Sequence, residues 1–158
     1  MTDARFEDGA ERALHLKAMD RDDLQVLSML VQDAVLPVTE MKWHARQRRF
    51  ALFLNRFRWE DRDAARRQGR PVERVQSVLA VEDVLGVATQ GIDRQDADTV
   101  LSLMSVAFEP GEDGAGHVIL TLAGDGAVRL KVEALEATLR DVTKPYLAPS
   151  GRAPDHPE

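Results

Sequence analysis

A chain of 158 residues with 44% apolar side chains is the size of one ordinary domain and can bury a proper core. It has no cysteine, which excludes a disulfide framework, a thiolate metal site and a cysteine nucleophile. The net charge of −6 disfavours general nucleic-acid binding. No signal-peptide pattern is present and no run approaches the roughly 18 apolar residues of a membrane helix, so a soluble, cytoplasmic protein without membrane contact is expected.

The charge is unevenly spread. From Lys42 to Arg74 eleven cations face four anions, leaving that segment at +7 and the remainder at −13. The two parts should attract each other, either as a segregated surface or as an internal network of ion pairs.

Residues 1–13 are polar and read as a flexible arm, with a first strand starting around Ala13–Lys17. Asp20–Ala34 has the strongest helical pattern: Asp20 or Asp22 can cap it, and Leu24, Leu27, Val31 and Ala34 recur at helical spacing, widened by Val26 and Leu30. Pro37 prevents its continuation and interrupts a strand over Val35–His44, marking an edge or a bulge. Ala45–Arg48 is a short connection, so the next strand should return as a hairpin.

That next stretch, Arg48–Glu60, reads RRFALFLNRFRWE. Alternate side chains of a strand face opposite ways, so Phe50, Leu52 and Leu54 share a face with Arg56 and Arg58, while Ala51, Phe53, Asn55, Phe57 and Trp59 share the other. The second face is expected to meet the core along its length, and the first to leave it near Asn55. The two arginines then either snorkel and pair with carboxylates such as Glu60 and Asp61, or present guanidinium forks to one anion.

Asp61–Pro71 is charged throughout and reads as a solvated hairpin tip or one exposed helical turn. Val72–Ile92 is a β-rich run with a break at Glu82-Asp83. Thr99–Phe108 is apolar on both faces and should be central. His117–Leu122 and the strand from Ala127 form a hairpin around Gly124-Asp125-Gly126, because Asp-Gly supplies positive φ. Val128–Val142 fits either a helix or a strand with a bulge near Ala134; the strand is preferred. From Lys144 four prolines in fifteen residues predict a disordered tail. Residues 14–143 thus form a single α+β domain: a mainly antiparallel, curved or partly closed sheet with one amphipathic helix packed on it.

At LNRFRWE (Leu54–Glu60), taken with LVQDAV (Leu30–Val35), the chain resembles a proteobacterial family of uncharacterised proteins, a domain of unknown function, from about Leu14 to about Tyr146. The resemblance implies no activity, ligand or catalytic residue.

No catalytic motif is found. Ser28, Ser77, Ser102 and Ser105 lie in apolar periodic segments without a nucleophile elbow, and His15, His44, His117 and His156 lack partners at ligand spacing. The glycines occupy strand turns rather than phosphate loops, and no cofactor is implied. A carboxylate-based enzyme stays open as an alternative. What remains is binding through Arg56, Arg58, Arg62, Arg66, Arg67 and Arg70. A protein-interaction or regulatory module meeting an acidic partner or another copy of itself ranks first, a small phosphorylated or carboxylated ligand second, and RNA or DNA third.

Overall fold

The computed structural model describes residues 13–93 and 95–143 and the backbone of 146–147. Strand β1 (His15–Ala18) leads into helix α1 (Arg21–Leu30). The Asp20 carboxylate accepts the Asp23 N–H at 2.8 Å, and Asp22 and Asp23 add negative charge where the helix dipole is positive. The expected stripe is buried at Leu24, Leu27, Val31 and Ala34, but the helix ends at Leu30. Asp33 takes a φ of 63° and turns the chain, so Ala34 reaches the core from a strand instead. Val26, expected to widen the stripe, is 50% exposed.

Strand β2 (Ala34–Pro37) passes through a 3-10 turn (Val38–Glu40) into β3 (Met41–His44), the interruption expected at Pro37. β3 and β4 (Arg49–Phe57) form the predicted hairpin, with Arg48 at a φ of 55° in the connection. β2 is not an edge strand, since it pairs with β4 on one side and with β7 (Val100–Pro110) on the other. Pro37 is the last residue of β2 and lies beyond its pairing with β4, which is confined to Val35.

After β4 the chain makes a 3-10 turn (Trp59–Asp61) and the short helix α2 (Arg62–Arg67), so the charged excursion is helical. Its single buried alanine, Ala65, pins it to the domain. β5 (Glu73–Val81) and β6 (Val84–Gln90) are separated at Glu82-Asp83, where Asp83 has a φ of 57°. β7 shifts register between Leu103 and Ser105, so Leu101, Leu103 and Val106 are all buried while Val100 is exposed. One face of β7 therefore meets the core rather than two, because the bulge changes which residues alternate inward.

β8 (Gly116–Leu122) and β9 (Ala127–Val132) form the second predicted hairpin, with positive φ at Gly124 and Asp125. The ambiguous segment is strand, but the expected bulge is a full turn. β9 goes to β8 and β6, whereas β10 (Ala137–Asp141) goes to β5 and β1. Residues 146–147 form β11 against β5; the rest of the tail, and the arm up to residue 12, lie outside the described residues.

All pairings are antiparallel, in the order β1-β10-β5-β4-β2-β7-β8-β9-β6, with β3 also on β4. The sheet is open, ending at β1 and β6, and α1 lies against β7 and β1 with Leu24 and Leu27 in the core. This is an α+β fold with a mainly antiparallel sheet and one amphipathic helix packed on it.

β4 departs from the expectation in two ways: Arg56 stays in the core with Phe50, Leu52 and Leu54, and the other face is buried at Phe57 but not along its full length. Phe50, Leu52, Leu54 and Arg56 form its buried face, whereas Phe53 is 38% exposed and Ala51 and Asn55 are half-buried. The cationic end of the first face stays inside because its counter-ions are inside too.

Candidate functional site

Arg56 is fully buried at the end of β4. Its Nε donates to Ser77 Oγ at 3.1 Å and to Asp141 Oδ1 at 3.2 Å. Nη1 donates to the Phe57 carbonyl at 3.1 Å and to Glu60 Oε1 at 2.8 Å, and Nη2 to Glu60 Oε2 at 2.8 Å and Asp141 Oδ1 at 3.0 Å. Burial, the largest single influence on this guanidinium, pulls its pKa down; Glu60 and Asp141 outweigh it and hold the pKa above the ordinary value. Asp141 accepts further from the Ser77 hydroxyl at 2.7 Å and the Leu14 N–H at 2.9 Å. One buried cation thus joins β4, β5 and β10 to the turn that follows β4, and Asp141 extends the connection to the segment entering β1.

A second network lies beside it. Arg58 Nη1 is 2.8 Å from Glu73 Oε1 and 3.6 Å from Asp61 Oδ2, and Arg70 Nη1 donates to the same Asp61 oxygen at 2.7 Å. Arg70 is thereby raised in pKa, chiefly by its hydrogen bond to Asp61. The Arg74 guanidinium carbon sits 4.4 Å from the centre of the Phe57 ring, and its Nε donates to Asn55.

Together the networks fix the 3-10 turn that carries Trp59. Arg58 and Glu60, its neighbours in sequence, are anchored on either side, the ring centres of Trp59 and Phe57 lie 5.3 Å apart, and the indole N–H donates to the Gln32 carbonyl at 2.9 Å. Trp59 forms one wall of a groove of about 320 Å³ against Val26, Met29 and Leu30 of α1. Glu60, Arg62 and Asp63 rim it. LNRFRWE therefore sets an aromatic wall, with its arginines as the fastening rather than the contact surface.

Of the six expected site residues, Arg56, Arg58 and Arg70 pair with carboxylates of their own chain. Arg62 stands at the groove, and Arg66 and Arg67 are exposed on α2. The sequence reading missed Val26, Met29 and Asp141. Val26 reads as part of the buried stripe, Met29 has no pattern that sets it apart, and Asp141 carries no local signal of a partner at Arg56. A wider, shallow trough of about 740 Å³ crosses the outer face of β1, β10, β5 and β4, where Lys17 and Arg140 share the lining with Arg49 and with Glu82 and Glu136. Among the described residues no group of three His, Asp or Glu side chains is placed to hold a metal, and no helix is long and apolar enough to cross a membrane.

Fold and site together define a small α+β domain with a pinned tryptophan groove. The chain belongs to the family described as Protein of unknown function (DUF2948), whose model it matches over residues 14–156. No curated protein and no solved structure matches it.

Proposed function

We propose that this protein is an interaction module that seats an apolar side chain of a partner protein in the groove between α1 and Trp59. The carrying observation is that Met29 and Val26, 63% and 50% exposed, stand opposite a tryptophan whose ring is already fixed. An ordered aromatic loses little freedom on binding, and methionine adapts to varied apolar shapes, which suits both to an interface centre. Asp63 on the rim, with Asp22 and Asp23 along α1, favours a basic residue beside the partner's apolar anchor. Arg66 and Arg67 are the members of the arginine set placed to meet a partner's carboxylates. The reading further takes the protein to be cytoplasmic, and to be of proteobacterial type on the motif likeness.

The test is affinity capture from the native cells with quantitative comparison of wild type and Met29→Glu. The reading requires a partner that is lost with the variant and restored by Met29→Leu. An identical partner list for all three proteins would end it.

A further inference from the structure

The two open regions of the sheet are protected differently. β1, at one end, carries His15 and Lys17 in a four-residue strand, as edge strands commonly do to discourage pairing. β6, at the other end, is VLGVATQ over Val84–Gln90, seven residues without a charge, and among the described residues pairs only with β9. Such an edge is a template for another strand.

What faces it is β3, which among the described residues pairs only with β4. The Val84 N–H donates to the Arg48 carbonyl at 2.8 Å, joining the two regions at one end. Beyond that bond β3 and β6 do not pair, and a hollow of about 220 Å³ lined by apolar and hydroxyl side chains separates them. Met41, Trp43 and Phe50 line it from the β3–β4 hairpin and Val87 and Thr89 from β6. Trp43, at 37% exposure, is incompletely covered.

We infer that this seam accepts an extended segment of a partner protein, paired to the free edge of β6 and alternating apolar with acidic residues. The alternation follows from register. Met41 and Trp43 lie opposite Leu52 and Phe50 on the inward face of the hairpin, and Val87 and Thr89 lie opposite the buried Leu130 and Val128. Inward side chains of an inserted strand therefore meet Met41, Trp43 and Val87, with the Thr89 hydroxyl at one end. Lys42 lies opposite Ala51 on the outward face, and Arg46 is exposed in the following turn. Outward side chains therefore lie beside cations, with no charge on β6 to oppose them. Backbone pairing supplies affinity and the alternate pockets supply selectivity. This site is separate from the Trp59 groove.

The probe is an end-capped octapeptide alternating valine and glutamate, compared with a peptide of the same composition grouped into four valines and four glutamates. Hydrogen exchange read by mass spectrometry should show protection of β3 and β6 with the alternating peptide only. In a Trp59→Phe background, where Trp43 is the remaining tryptophan, emission should shift on binding. Lys42→Glu with Ala88→Glu, both at exposed positions, should weaken binding on the order of tenfold, while Met29→Glu leaves it unchanged. Equal binding of the grouped peptide, protection elsewhere, or no binding at millimolar peptide would overturn the inference. Concentration-dependent self-protection of β6 in the protein alone would also overturn it, by making the occupant a second copy.

Discussion

Asp141 Oδ1 lies 3.0 Å from Arg56 Nη2, across 85 positions of sequence and with both side chains almost wholly buried. Removing either partner strands a charge away from water, a loss of roughly 3–5 kcal/mol. Arg56→Ala and Asp141→Ala should each lower unfolding free energy by about that amount in denaturant titrations. Arg56→Lys should recover only a minor part, because an ammonium cannot reach Ser77, Glu60 and Asp141 as a planar fork does. A lysine variant as stable as wild type would refute this account.

The same pair fixes a pH expectation. The folded-state pKa of Arg56 is raised, so the stability it contributes is complete below the ordinary arginine value and is lost only as pH climbs through the folded one. Between pH 6 and 10 the Arg56→Ala loss, measured by denaturant titration, should not shrink through titration of this guanidinium.

Ser77 both accepts from Arg56 and donates to Asp141, and it is fully buried. Ser77→Ala leaves a charged acceptor short of one donor and should cost about 1–3 kcal/mol in the same titration. Double-mutant cycles with Asp141→Ala should be non-additive, since the residues share one network.

At the start of α1, Asp20→Ala removes the cap on the Asp23 N–H and should lower stability by about 0.5–2 kcal/mol, with Asp20→Ser restoring most of it. Thermal unfolding followed by circular dichroism reads both.

The two sides of α1 should respond differently. Leu27→Ala opens a core cavity and should cost about 2–5 kcal/mol, while Met29→Glu on the exposed side should stay within about 0.5 kcal/mol of wild type. A large loss for Met29→Glu, measured by denaturant titration, would mean that the groove serves stability.

Local chemistry made much of the fold readable. The capped start of α1, the break at Pro37, the turn at Asp83 and the Gly124-Asp125 hairpin all depend on residues close in sequence. The second face of β4 reads as buried throughout because of the apolar bulk of Phe53, Phe57 and Trp59, and Arg56 looks like a surface residue until Asp141 is known to reach it. Val26 reads as core-side for a related reason: periodicity shows that a helix has an apolar stripe but not how wide the surface beneath it is. A bulge inside β7 and the divergence of β9 from β10 are likewise set by partners far along the chain.

Because β10 is made after nine other strands and closes onto β5 and β1, the ordering of synthesis matters. While the polypeptide is still emerging, Arg56 has Glu60 within reach but not Asp141. Its half of the sheet then has no inexpensive way to leave water. The domain should consequently stay unlocked until Asp141 is free to reach Arg56, and chains cut short before Asp141 should be recognised as unfinished by proteases.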